Sequence, residues 1–434
     1  LGSRLGFILL SAGCAIGIGN VWKFPYMVGQ YGGGAFVLIY LFFLVILGIP
    51  VMTMEFAMGR AGQRSPARLY QQLEPKGSKW HLHGYVAMAG NYILMMFYTS
   101  VAGWMLDYFV RTAGGQFVGA DTDGVAAQFS QMLGDPLRMT LFMGIIVVLG
   151  FLVCSFSLQK GLERITKWMM VALLVIMVVL AINSVCTAGG SQGLRFYLVP
   201  DLVRMKKVGI GNVVAGAMNQ AFFTLSLGIG AMAIFGSYIG KERALMGESA
   251  RVAALDTLVA LCSGLIIFPA CFAYGVQPDS GPSLIFITLP NIFNHMPLGR
   301  VWGSLFFVFM SFAAFSTVLG VFENIVSCTN GILMLLLSMP CVLGFNVLSK
   351  FQPLGPGTGV LDLEDFVVSN LLLPLGSLIF IFFCTSRYGW GWKNFTKEAN
   401  TGKGLKVQHW MRGYMCYVLP VLVAVILVLG LIRH

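Results

Sequence analysis

Apolar stretches about as long as a bilayer core is thick recur along almost the whole chain, separated by short polar connections. A helix needs about 20 such residues to cross about 30 Å of hydrocarbon. Eleven stretches meet that template, called spans 1 to 11 below: residues 5–27, 35–58, 82–110, 139–157, 165–185, 212–239, 245–274, 301–326, 332–348, 366–385 and 411–431. The pattern predicts an all-α, polytopic membrane protein. Span 1 is too long for the apolar region of a signal peptide and starts the fold directly, so no signal peptide is expected.

Composition agrees and removes other classes. Of 434 residues, 57% are hydrophobic and 10% charged, with a mean hydropathy of +0.81; a soluble domain carries about 25% charged residues. The formal charge of +11 fits basic loops facing anionic headgroups and does not call for nucleic acid. The connections leaving spans 2 and 10 hold Arg60, Arg64, Arg68, Lys76 and Lys79, and Arg387, Lys393, Lys397, Lys403 and Lys406. Both leave even-numbered spans, which places the N-terminus in the cytoplasm and the C-terminus outside a cell (inner) membrane. The connection after span 5, with Arg195, Arg204, Lys206 and Lys207, opposes this count. The nine cysteines lie mostly in apolar runs without CxxC spacing and the five histidines are scattered, so neither a disulfide framework nor a zinc site is expected. No Ser/His/Asp set, paired catalytic aspartates or HExxH motif lies at membrane depth, which disfavours an enzyme.

Spans 8 and 9 run together at Cys328-Thr329 with little polar connection. A cytoplasmic loop absent between these residues is therefore expected, with a Cα separation far beyond the usual ~3.8 Å. Glycine is abundant, at 53 residues, and is concentrated in two places. Span 1 carries Gly13, Gly17 and Gly19; span 6 carries Gly228 and Gly230 after Phe223-Thr224-Leu225-Ser226. Each helical glycine costs about 1 kcal/mol relative to alanine. One reading is close packing through small residues. The other is local unwinding that exposes carbonyls to cations and helix N-termini to an anion. Breaks in spans 1 and 6, five apart, point to an inverted-repeat transporter with a midplane site. The repeats would be residues 1–185 (spans 1–5) and 186–386 (spans 6–10), with 387–434 a cytoplasmic loop and span 11. A channel would favour symmetric oligomers with pore-lining rings, and this chain instead has an internal duplication with two singular breaks. Asp256, a carboxylate near the bilayer centre, is a functional candidate; the structural alternative is a protonated Asp bonded to a neighbour.

Several ordered motifs carry a family resemblance. They are Gly19-Asn20-Val21-Trp22-Lys23-Phe24-Pro25, Gly32-Gly33-Gly34-Ala35-Phe36, Gly48-Ile49-Pro50 with Glu55, and Gln220-Ala221-Phe222-Phe223-Thr224-Leu225-Ser226-Leu227-Gly228. In these the chain resembles the neurotransmitter:sodium symporter family, in particular its bacterial amino-acid transporters, over essentially its whole length. The resemblance implies the leucine-transporter fold, a 5+5 inverted repeat with broken helices 1 and 6, and sodium-driven amino-acid uptake by alternating access. It implies two sodium sites. The first would use Ala15, Asn20, Thr224 and Asp256; the second would use Gly13, Ile16, Ala313, Ser316 and Thr317. Such oxygen-only donors suit a hard cation, although Thr and Ser on apolar helices are more usually back-bonded packing residues.

For the substrate, the resemblance implies that amides of Gly17, Ile18 and Gly19 and the Tyr98 hydroxyl hold the carboxylate. Carbonyls of Ala15, Phe223, Thr224 and Ser226 would take the ammonium. Amine-transporting relatives place an aspartate where Cys14 stands, so this substrate should bring its own carboxylate. Its side chain would meet Ile18, Leu94, Tyr98, Phe223, Ile229, Val318, Gly320 and Val321, beside Thr317. That lining is apolar and roomy, which favours a large aliphatic or aromatic amino acid; a small neutral amino or imino acid is the alternative. Chloride-dependent relatives carry a serine where Ala260 stands, and Asp256 would supply the negative charge instead, so chloride is not expected to be required. Tyr98 and Phe223 match a lid, Lys23 and Asp365 an outer charged gate, and Glu55 a brace on span 6. Ser237, Tyr238 and Glu323 match parts of an inner gate.

Three departures stand out: Lys23 replaces an arginine, Leu1 stands where an inner-gate tryptophan is expected, and Val171 follows Gly161 where the family often has a proline in span 5. The expected partners are the amino acid, sodium ions and the lipid bilayer, with no organic cofactor; the oligomeric state is left open.

Overall fold

The computed structural model describes residues 4–155, 162–187, 189–273, 284–323, 325 and 328–432, which are mostly helical with no strand among them. Among the described residues eight helices are long and apolar enough to cross a membrane: Gly34–Gly62, His81–Ala113, Pro136–Ser155, Arg164–Cys186, Leu245–Ala273, Gly299–Phe322, Val360–Thr385 and Met411–Ile432. They correspond to spans 2, 3, 4, 5, 7, 8, 10 and 11. Spans 1 and 6 occur in pieces, Arg4–Ala15 with Gly19–Lys23 and Phe24–Gln30, and Ile210–Thr224 with Ala231–Gly236; span 9 is the shorter Cys328–Gly344.

The expected break at Cys328-Thr329 is not found, because one helix runs through that junction. Span 8 ends at Phe322, earlier than the apolar run suggests, and span 9 begins at Cys328. The apolar run had hidden the connection between them. Gly161 lies outside the described residues; Val171 sits on an outward face of span 5.

Burial sorts the spans into two groups. Within span 8 the most apolar window is 78% buried and within span 11 only 28%, so span 8 is core while the exposed aliphatics of span 11 face lipid. The first half of span 1 packs among spans 5, 7 and 8. Five π-helical turns lie within the described residues: Gly19–Lys23, Leu44–Gly48, Leu284–Thr288, Val367–Leu372 and Tyr414–Val418. Each ends two residues before a proline, namely Pro25, Pro50, Pro290, Pro374 and Pro420. Proline lacks an N–H and its ring collides with the carbonyl four residues back. Widening the preceding turn removes that collision while keeping the chain helical.

Candidate functional site

Spans 1 and 6 both come apart at mid-length. Ile16 and Gly17 separate the halves of span 1. A Cβ at Gly17 would run into the Tyr98 hydroxyl and the Thr317 side chain, so only glycine fits. In span 6, residues 225–230 form turns, with Ser226 at φ 50°, Gly228 at φ 96° and Gly230 at φ 73°. Gly228 is pressed against the Leu373 carbonyl of span 10. Three side chains bond backbone groups at the breaks. Glu55 Oε1 accepts from Gly228 N–H at 2.6 Å, Asn91 Nδ2 donates to the Ile229 carbonyl at 2.9 Å, and Gln220 Nε2 donates to the Gly19 carbonyl at 2.9 Å.

Oxygen-rich clusters sit at both breaks. Asn20 Nδ2 donates to Asp256 Oδ1 at 2.8 Å and the Thr224 hydroxyl donates to Asp256 Oδ2 at 3.0 Å, all three side chains being buried. Asn20 Oδ1 accepts from Gly17 N–H at 3.1 Å, and Ser263 donates to the Asn20 carbonyl at 2.7 Å. Across span 1, the hydroxyls of Ser316 and Thr317 donate to the Ile16 carbonyl at 3.0 and 3.2 Å, and Ser316 also reaches the Ala313 carbonyl. Gly13 faces Thr166 and Met170 of span 5. Cys14 lies in the last turn before the break; its side chain is outside the described residues.

Between the clusters is a small cavity of about 10 Å³ bordered by Ala15, Gly19, Leu94, Tyr98, Phe223, Ser226, Thr317 and Leu373; that is space on the scale of one water. A second cavity of about 240 Å³ lies beside Ile18, Trp22, Lys23 and Asp365 and shares Tyr98 and Phe223 with the first. These two rings therefore border both cavities. The Tyr98 hydroxyl accepts from Ile18 N–H at 2.7 Å. Lys23 Nζ lies 3.1 Å from both Asp365 oxygens and from Ser369 Oγ, and 3.8 Å from the Phe223 ring centre. On the other side of the breaks the Tyr238 hydroxyl donates to Glu323 Oε1 at 2.9 Å.

Some expected residues fall elsewhere. Val318, Gly320 and Val321 are buried but do not border the small cavity. Val318 turns toward Gly150 of span 4, because Thr317 already points at the cavity and the next helical residue lies about 100° round. Ile229 packs on Gly90 of span 3, and Ser237 bonds back to the Ile234 carbonyl at 2.6 Å, away from Tyr238 and Glu323. Leu373, Ser263 and Arg60 were missed. Ser263 stands two helical turns after Asp256, a spacing that puts both on one face. Arg60 reads as a loop cation, yet it is 1% exposed. It bonds Glu398 at 2.6 Å and the Gly240 and Arg243 carbonyls at 3.2 and 2.6 Å.

The model of the sodium:neurotransmitter symporter family matches residues 1–118 and 125–434. The uncharacterized sodium-dependent transporter YhdH of Bacillus subtilis is 35% identical over 88% of this chain and 86% of its own. An uncharacterized sodium-dependent transporter of Haemophilus influenzae is 28% identical over 99% of this chain and 97% of its own. Among solved structures, MhsT in complex with L-phenylalanine superposes with a TM-score of 0.88 at 34% identity, covering 98% of both chains.

Proposed function

The chain belongs to the sodium:neurotransmitter symporter family, as a sodium-dependent transporter and not an enzyme, and we propose that it takes up a hydrophobic L-amino acid together with sodium, without chloride. The observation that carries this reading is the meeting of Asp256, Asn20 and Thr224 at two helix breaks, beside a cavity walled by Leu94, Tyr98 and Phe223. The L-phenylalanine held by MhsT supports the aromatic end of the substrate range.

In this reading Ala15, Asn20, Thr224 and Asp256 hold one sodium; Gly13, Ile16, Ala313, Ser316 and Thr317 hold a second. The hydrogen bonds now running within each cluster keep the oxygens gathered; to take sodium, the Asn20 amide and the Thr and Ser hydroxyls keep their protons and turn oxygen lone pairs to the ion. The substrate carboxylate takes the place of the Ile18 N–H bond to Tyr98, which frees that amide and hydroxyl as donors. Its side chain enters beside Leu373, which joins the sequence-based set; because the space there is now on the scale of one water, Tyr98 and Phe223 move apart to admit it. Lys23–Asp365 opens and closes the route above Phe223, and Tyr238–Glu323 the opposite route. The membrane orientation is N-terminus inside. Binding of phenylalanine, leucine, tryptophan, glycine and proline to purified protein, in sodium or choline and in chloride or gluconate, tests the proposal. Aromatic and large aliphatic ligands should bind only in sodium and equally in both anions. Binding indifferent to sodium overturns the coupling, and a preference for glycine or proline overturns the substrate class.

A further inference from the structure

The basic connection after span 5, which opposes the charge count used for orientation, folds into two short helices, Gly190–Leu198 and Leu202–Val208. The first packs along the second half of span 7, where the Tyr197 hydroxyl donates to the Leu261 carbonyl at 2.9 Å and Phe196 packs on Phe268 and Phe272. Between them opens a groove of about 480 Å³, whose walls include Phe196, Leu202, Val203 and Phe272 and whose charges are Arg195, Arg204 and Asp201. Asp201 is occupied locally: its carboxylate accepts from Val203 and Arg204 N–H at 2.9 and 3.0 Å. These amides together with Arg204 and Lys207 hold its pKa below the usual carboxylate range. The Arg195 guanidinium has no hydrogen-bond or ion-pair partner among the described residues, and that of Arg204 stacks on Phe196 and stands 3.9 Å from Asp201. Leu198, Val199, Leu202 and Val203 are each more than half exposed.

Three spans begin or end around this segment: span 5 at Cys186, span 6 at Ile210 and span 7 at Ala273. The segment therefore lies at the level where hydrocarbon gives way to headgroups. Exposed aliphatics beside basic side chains are the composition of an interfacial membrane contact, and an unpaired guanidinium is a forked donor suited to phosphate oxygens. We infer that this groove holds the headgroup of an anionic phospholipid. The phosphate would lie between Arg195 and Arg204, with its glycerol and upper acyl chain on Leu202, Val203 and Phe272. The groove borders the outer end of span 1, since Arg204 packs on Gly32 and the Phe196 carbonyl on Gly33.

The test is native mass spectrometry of the full chain in detergent, titrated with phosphatidylglycerol, phosphatidylcholine or inorganic phosphate. The variants are Arg195→Gln/Arg204→Gln and, as a charge-matched control, Lys206→Gln/Lys207→Gln, whose side chains are exposed outside the groove. Phosphatidylglycerol should bind in preference to phosphatidylcholine, and the arginine pair should weaken it about 30-fold. The lysine pair should change it less than threefold, and all variants should melt with the parent when no lipid is added. Unchanged binding in the arginine variant, equal loss in the lysine variant, equal binding of phosphatidylcholine, or full displacement by inorganic phosphate at matched concentration each overturns the assignment.

Discussion

Replacing Asp256 by Asn removes a charge while keeping a side chain of the same shape. The amide can still accept from Asn20, now 2.8 Å away, and its NH2 can donate to Thr224, whose hydroxyl rotates to accept, now 3.0 Å away. Geometry therefore survives and electrostatics do not. A unit charge about 4 Å from sodium is worth about 4 kcal/mol at an effective dielectric of about 20. Relief of carboxylate desolvation at a fully buried position returns part of that. A net loss of about 1.4–2.8 kcal/mol raises the sodium concentration for half-maximal phenylalanine binding about 10- to 100-fold. The assay is equilibrium binding of radiolabelled phenylalanine across a sodium titration, in chloride and in gluconate. Chloride should not rescue Asp256→Asn alone, because Ala260 offers no hydroxyl. It should partly rescue Asp256→Asn/Ala260→Ser. A sodium dependence unchanged by Asp256→Asn in either anion would refute the assignment of Asp256 to the ion.

Other substitutions probe separate parts of the fold. Gly228→Ala puts a Cβ at φ 96° against the Leu373 carbonyl; the backbone penalty alone is about 1–2 kcal/mol, so the thermal midpoint in detergent should fall by several degrees. Lys23→Ala opens a gate whose partners are 21% and 34% exposed. Such pairs contribute about 0.2–1 kcal/mol, so bound phenylalanine should dissociate about 1.4- to fivefold faster, measured by isotope dilution. Arg60→Met strands the Glu398 carboxylate and three carbonyls and should cost about 3–5 kcal/mol. Arg60→Lys should recover less than half of the resulting loss in thermal midpoint, because one ammonium cannot reach all four acceptors.

The spans were legible because a bilayer demands length and apolarity together, and the two breaks because glycines cluster where a helix would exclude them. Spans 8 and 9 merged into one problem because their connection is short and its few polar residues, Glu323 among them, are closely flanked by apolar runs. The short helices Gly190–Leu198 and Leu202–Val208 fall below the length that hydropathy can register. Asn20, Thr224 and Asp256 meet as the family resemblance implied, whereas Val318 does not reach the cavity, since one step of helical rotation separates it from Thr317. Arg60 stayed hidden for a different reason. Its acceptors are mostly carbonyls contributed by residues far along the chain, and carbonyls carry no residue-type signature.

The π turn of span 1 has a mechanical consequence. It occupies Gly19–Lys23, so the ion-cluster side chain of Asn20 and the gate cation Lys23 stand on the same widened turn. An α turn holds one residue fewer than a π turn, and one residue corresponds to about 100° of helical rotation. Tightening this turn would swing Lys23 away from Asp365 while Asn20 stayed fixed by Asp256. The turn is a cam: whatever sets the position of Asn20 sets that of Lys23.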